Sequence, residues 1–144
     1  MCYHNYANEG DIMFNIIFYT DKNGKSKLLE DIETIKNKSK TNKDARIQFR
    51  QIILCIELLK INGTMINSNI TKHLEDDIWE LRPGNNRILY FYFEDNQFIL
   101  LHMFRKKTNK TPKNEIEKAK RECFDYKLRN GDEHENLGRL QKRY

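Results

Sequence analysis

The chain has 144 residues, of which 38% are hydrophobic and 33% charged, and its formal net charge is +5. One domain is expected at this length, and it would bury roughly 68–70% of the surface of the unfolded chain. No apolar run approaches the roughly 18 residues that suggest a membrane span, and residues 1–13 lack the features of a secretory signal. A cytoplasmic protein that does not enter the membrane is therefore expected.

The three cysteines are Cys2, Cys55 and Cys123, and their spacing matches no metal-binding pattern. We expect free thiols in a reducing compartment, with Cys55 and Cys123 buried in helices, and we expect neither a metal ion nor a cofactor. The sequence pI of about 9.0 is compatible with a polyanion as partner and equally with an acidic protein.

The N-terminal half predicts a strand followed by two helices. Residues 1–12 show no period and are treated as an extension, whereas residues 14–19 are rich in β-forming side chains. Apolar residues at helical spacing predict helices over residues 25–37 and from about residue 41 to residue 62. Thr41 and Asp44 resemble a capping box at the start of the second helix. The two helices are expected to form a hairpin that packs on a sheet.

The following segment predicts the sheet. Strands are expected at residues 78–82, 87–94 and 97–104, with turns at residues 83–86 and 95–96. Because both faces of the last two strands are apolar, they should be central strands, covered by helices on one face and partly by the end of the chain on the other. Thr111 is expected to cap a C-terminal helix with Pro112 at its first position. A polar tail follows over residues 131–144.

These segments predict an α+β fold, with an N-terminal helical hairpin packed on a twisted antiparallel sheet of about four strands and a C-terminal helix. Their order and spacing resemble the HigB-like branch of the RelE/ParE superfamily, the toxins of bacterial toxin–antitoxin pairs, in its phage-derived form. The matching pieces are residues 72–74, 78–82, 87–90, 100–108 and 110–112. A RelE-like toxin domain is accordingly expected over residues 13–130.

The resemblance implies a metal-independent endoribonuclease that cleaves mRNA, typically on the ribosome. Such a reaction needs a base for the 2′-hydroxyl, a cation for the phosphorane, an acid for the leaving oxygen and a groove that aligns the backbone. Members of the superfamily often use lysines and arginines for these roles. Arginine suits the phosphate contact because its guanidinium can hold two oxygens at once.

Four residues are the catalytic candidates. Arg87 begins a strand after a turn and matches an arginine that the superfamily places near the scissile phosphate; the alternative is a solvated strand-end arginine. Arg82 lies across the same turn and can share the phosphate or form a salt bridge to the helical hairpin. Lys106 follows the last strand, in the position of the family's basic loop. His102 is a possible acid or base, although a lone histidine in an apolar strand is more often a core residue.

RNA-binding candidates surround these residues. Arg105, Lys107 and Lys110 belong to the basic loop, where cations can bind phosphates. Tyr90 and Tyr92 share one face of a strand and can stack on bases or pack under a helix.

The sequence also departs from the best-known RelE-type toxins. We call residues 82–87 the arginine turn, because Arg82 and Arg87 flank it. The best-known toxins carry lysines in the strand before this turn, where this chain has Ile78, Glu80 and Arg82. Their C-terminal catalytic tyrosine has no clear counterpart here. Glu80 can act as a base in place of lysine or pair with a neighbouring cation, so the identity of the general base stays open.

The resemblance further implies a partner. It predicts a small HigA-like helix-turn-helix antitoxin in a heterotetrameric complex, with mRNA and the ribosome as targets. Two alternatives remain: a ParE-type toxin that inhibits gyrase by protein–protein contact, and an inactive relic that still binds its antitoxin.

Overall fold

The structure, a computed structural model, describes the backbone of residues 13–142 and the side chains of residues 13–131. The predicted extension at residues 1–12 lies outside the described residues. Within them the elements follow in the order β1 (Asn15–Phe18), α1 (Lys27–Lys38), α2 (Lys43–Asn62), β2 (Thr71–Glu75), β3 (Ile78–Leu81), β4 (Asn86–Phe93), β5 (Gln97–Arg105) and α3 (Lys113–Lys142). The α+β prediction is confirmed.

Local hydrogen bonds fix the starts of the two hairpin helices. The Ser26 hydroxyl accepts a hydrogen bond from the Leu29 amide at 3.2 Å, and the Asn42 side chain accepts one from the Ala45 amide at 2.9 Å. The predicted capping residue of α2, Thr41, was therefore wrong by one position: Asn42 satisfies the free amide at the helix start.

The sheet has five strands in the order β1-β5-β4-β3-β2. The prediction of about four antiparallel strands was incomplete in two respects. β1 pairs with β5 in parallel, which is possible because the chain between them is long enough to cross over. β2 was not predicted as a strand, since its sequence Thr71–Glu75 contains a single large apolar residue, Leu74, and lacks an apolar alternation.

Both predicted turns between the central strands are present. Asp95 and Asn96 have φ angles of 60° and 59°, which is the two-residue turn that suits a twisted hairpin. In the turn between β3 and β4 the Asn86 amide donates to the Pro83 carbonyl at 3.0 Å. Gly84 has a φ of 59° there, a conformation that glycine adopts without strain.

Two cores lie on opposite faces of the sheet. The first joins α1 and α2 to one face through residues such as Leu28, Ile52 and Leu100. The second joins α3 to the other face, where Phe91 and Ala119 are buried. The expectation that β4 and β5 are covered on both faces is confirmed. Cys55 lies in the first core and Cys123 in the second, both as free thiols whose pKa is raised by burial.

Polar contacts also attach α3 and the loop before it to the sheet. The imidazole of His102 lies between two carboxylates of α3: its Nε2 is 2.8 Å from Glu115, and its Nδ1 contacts Glu122. The hydroxyl of Thr111 donates to Glu80 at 2.5 Å. Thr111 was predicted to cap α3, but its hydroxyl is used to hold the loop against β3 instead.

α3 is helical as far as Lys142, so it continues into the segment predicted as a separate polar tail. The division of the chain into an extension, a toxin domain over residues 13–130 and a tail from residue 131 stays a prediction. None of the helices among residues 13–142 combines the length and apolar character needed to cross a bilayer.

The attachment of α3 can be tested by removing the imidazole. His102→Ala would leave the partly buried carboxylates of Glu115 and Glu122 without their shared partner. We expect a loss of roughly 2–3 kcal/mol in the free energy of unfolding, measured by urea denaturation. His73→Ala is the control: His73 is exposed and contacts the Asp76 carbonyl and the ring of Trp79, so its loss should cost less, about 1 kcal/mol or below. Equal effects of the two substitutions would contradict this role of His102.

Candidate active site

Basic residues from three segments lie at one end of the sheet. Arg82 follows the last residue of β3, Arg87 is the second residue of β4, and Lys106 follows β5. The backbone joins these segments, because Arg87 is paired with Phe104 across β4 and β5 and the Lys106 amide donates to the Asn85 carbonyl at 2.8 Å. Three catalytic candidates therefore share the same end of neighbouring strands.

The side chain of Arg87 folds over the turn. Its Nη1 donates to the carbonyls of Gly84 at 2.7 Å and Asn86 at 2.9 Å. Desolvation lowers the pKa of Arg87, and the neighbouring positive charge of Arg82 lowers it further, while the charge of Glu80 opposes both. The guanidinium remains charged, and since the two bonds use one of its nitrogens, it keeps further N–H donors for an anion.

Arg82 is held by a buried carboxylate. Its Nε donates to Glu80 at 3.0 Å, and its backbone amide donates to the Ile70 carbonyl at 2.7 Å. Glu80 is 1% exposed and also accepts the hydroxyl hydrogen bond of Thr111. The salt bridge of Arg82 is thus made to its own strand and not to the helical hairpin. Glu80 acts as a positioning residue for Arg82, because a carboxylate so enclosed is not open to a substrate.

The basic loop after β5 presents three exposed lysines, Lys106, Lys107 and Lys110. Arg105 lies in a different place from these lysines. It is paired with Asn86, whose side chain donates to Gln48 of α2 at 3.1 Å. Arg105 also lines a cavity of about 430 Å³ together with Gln48 and residues of α1. It therefore lies on the hairpin side of the sheet, across the sheet from Arg87.

Three candidates do not belong to this cluster in the structure. His102 is buried between the two α3 carboxylates, so it is a core residue without access to a substrate. Tyr90 is also fully buried; its hydroxyl lies 2.5 Å from that of Thr71, and burial raises its pKa to about 12. Tyr92 is exposed, but it lies near the opposite end of β4 and bonds to Asn96 of the following turn.

Thr111 connects the loop to Glu80 and through it to Arg82, a role that was not predicted from the sequence. Its position before a proline indicated a helix cap, and no sequence signal distinguished the two roles. Among the side chains of residues 13–131, no group of three His, Cys, Asp or Glu residues is arranged to hold a metal ion.

Comparisons with known proteins identify a family and find distant structural similarity to chains of two solved complexes. A chain of the archaeal RelE–RelB complex from Pyrococcus horikoshii OT3 is 12% identical, with 66% of this chain and 97% of that chain covered and a TM-score of 0.48. A chain of the YoeB–YefM complex from Staphylococcus aureus is 18% identical, with 62% and 93% covered and a TM-score of 0.43. No curated protein sequence matches.

A sequence model described as "Phage derived protein Gp49-like (DUF891)" matches residues 39–123, more than half of the chain. The matched region begins before α2 and ends within α3, so it contains the whole arginine turn and the basic loop. It confirms the phage-derived branch that the sequence resemblance indicates. The chain belongs to the phage-derived, Gp49-like family.

Proposed function

We propose that the chain is the toxin of a type II toxin–antitoxin system and that it cleaves mRNA without a metal ion, on the ribosome. The observation that carries the proposal is the arginine turn: Arg82 and Arg87 flank one tight turn, and a buried carboxylate orients Arg82. Two guanidinium groups at adjacent strand ends suit a phosphate that gains negative charge in the transition state.

The reaction begins with the 2′-hydroxyl of one nucleotide. Its oxygen attacks the adjacent phosphorus, its proton goes to a base, and the bond from phosphorus to the 5′-oxygen of the next nucleotide breaks. The products are a 2′,3′-cyclic phosphate and a free 5′-hydroxyl. In this proposal Arg87 binds the non-bridging oxygens, Arg82 supports the same charge, and Lys106 donates the proton to the leaving oxygen. The base remains unassigned, because Glu80 and His102 are both enclosed.

Arg87→Ala is the most direct test of this arrangement. It should reduce RNA cleavage roughly 100-fold or more, because losing one preorganised donor to a developing charge has an effect of this size. Cleavage of a defined mRNA on ribosomes by the purified protein gives the rate, and arrest of growth after induction gives the cellular effect. Arg87→Lys should cleave RNA at a rate between those of the parent and Arg87→Ala, since lysine keeps the charge but loses the bidentate geometry of the guanidinium.

The control is Lys36→Ala, which removes an exposed cation from α1 in the layer on the opposite side of the sheet. It should cleave RNA at the parent rate. Circular dichroism and the thermal midpoint should show that Arg87→Ala is folded. A folded Arg87→Ala protein that cleaves as fast as the parent would refute the assignment. DNA damage after induction, with no RNA cuts, would instead favour the ParE-type alternative.

We further propose that an acidic helix of a HigA-like helix-turn-helix antitoxin binds the outer face of α2, in a heterotetrameric complex. Ile47, Leu54 and Ile61 are exposed there and repeat every seven residues, which is the spacing of a helix–helix seam. Arg46 and Arg50 lie beside the N-terminal part of this stripe, and Glu57 lies beside its C-terminal part. An amphipathic helix that is acidic where it meets Arg46 and Arg50 therefore matches both its shape and its charge. Bound there, the antitoxin would act by bulk and leave the arginine turn open.

Leu54→Asp tests this surface, because a carboxylate would oppose both the apolar and the electrostatic match. The substitution should weaken co-elution with the protein of the neighbouring gene in size exclusion, while RNA cleavage remains. Leu128→Asp on α3 is the matched control, since Leu128 is also about half exposed. If Leu128→Asp disrupts the complex and Leu54→Asp does not, the antitoxin lies on α3.

A further inference from the structure

A cavity of about 210 Å³ opens beside the edge strand β2, separate from the arginine turn but bordered by one of its residues. Its walls come from β2, from the end of β3 and from the loop that leads into α3. The lining includes Lys72, Leu74, Arg82, Asn109, Lys110 and Ile116.

The rim of this cavity is positive. Lys72, Arg82 and Lys110 contribute one cation from each of three segments. The acidic residue of the lining, Glu75, has its carboxylate on the ammonium group of Lys120, which offsets its charge. Arg82 is itself paired with Glu80, so the surplus of positive charge that an entering anion meets comes from Lys72 and Lys110.

Glu80 connects the cavity to the arginine turn through its side-chain hydrogen bonds and its strand pairing. Lys72 is paired with Glu80 across β2 and β3, so the two side chains lie on the same face of the sheet. Glu80 holds Arg82 by one carboxylate oxygen and Thr111 by the other. Arg82 is thus fixed at the boundary, with the cavity on one side and Arg87 on the other.

The inner surface is partly apolar. Leu74 is half-buried and Ile116 is buried, and both line the cavity together with the amide of Asn109. An apolar surface, a side-chain amide and a cationic rim together match a nucleotide, which has a flat base, polar base edges and an anionic phosphate.

We propose that this cavity binds the nucleotide that flanks the cleaved bond in a single-stranded RNA, with its phosphate at Lys72 and Lys110 and its base against Leu74. The inference rests on the proposed nuclease function and adds a subsite to it. In this arrangement Arg82 lies between two consecutive phosphates of the RNA and contacts both. One phosphate is bound in the cavity and the other at Arg87.

The test compares two RNAs without terminal phosphates, two and seven nucleotides long, with 2′-O-methyl groups so that they bind without being cut. The shorter RNA has a single phosphate and cannot occupy Arg87 and the cavity together. Fluorescence anisotropy gives their affinities as a function of salt concentration. The parent chain should bind the longer RNA more tightly. Lys72→Ala should weaken binding of the longer RNA roughly tenfold and the shorter less than about twofold, and it should reduce the salt slope by about 1.

A second variant separates base contact from charge. Leu74→Ala should also weaken binding of the longer RNA, but with an unchanged salt slope, because it removes apolar surface and no counterion contact. Lys36→Ala, on the far side of the sheet, is the control for both variants and should leave both affinities unchanged.

The outcomes distinguish this subsite from the proposed function. If Lys72→Ala and Leu74→Ala bind the longer RNA as the parent does, the cavity is not a subsite, even if the parent still cleaves RNA and Arg87→Ala does not. If both variants lose affinity for the two RNAs equally, the cavity does not hold the flanking nucleotide. If the parent binds neither RNA, the subsite proposal fails; the nuclease proposal fails only if the parent also leaves mRNA on ribosomes uncut.

Discussion

The structure depends on one constraint, which is that the paired strands β4 and β5 are apolar on both faces. Residues such as Ile88 and Leu100 face α1 and α2, whereas Leu89 and Ile99 face α3. Neither face can be left in water without a large loss of hydrophobic stabilisation. The helical hairpin must therefore cover one face and α3 the other, which leaves the strand ends as the part of the sheet that is open to a ligand.

Two buried polar groups lie under α3 and the loop before it, and each connects different parts of the chain. His102 joins β5 to α3, and Glu80 joins β3 to Arg82 and to the loop at Thr111. A buried carboxylate or imidazole is tolerated only when its hydrogen bonds are made. The position of Arg82 is consequently tied to the packing of the loop before α3, so the candidate site depends on the layer that covers the sheet.

The sequence allowed the main elements to be predicted because their apolar periods are strong. The helical period marks α1 and α2, and glycine or asparagine turns separate the strands. The predictions failed where no local signal exists. β2 lacks an apolar alternation, and the parallel pairing of β1 with β5 depends on contacts between distant parts of the chain.

The faces of individual side chains were harder to predict. Between β4 and β5 the pairing shifts, so that Leu89 is opposite His102 and Tyr90 opposite Leu100. Strict alternation from Leu100 would place His102 under the hairpin and Arg105 on the α3 face. The extra residue of this β-bulge, Leu101, reverses both positions. His102 thereby reaches the carboxylates of α3, and Arg105 is separated from Arg87.

The arginine turn is proposed to cleave RNA by attack of the neighbouring 2′-oxygen. The most direct measurement identifies the ends of the mRNA fragments that the purified chain makes on translating ribosomes. A 2′,3′-cyclic phosphate on one fragment and a 5′-hydroxyl on the other are expected. Fragments with 5′-phosphate ends would contradict this mechanism.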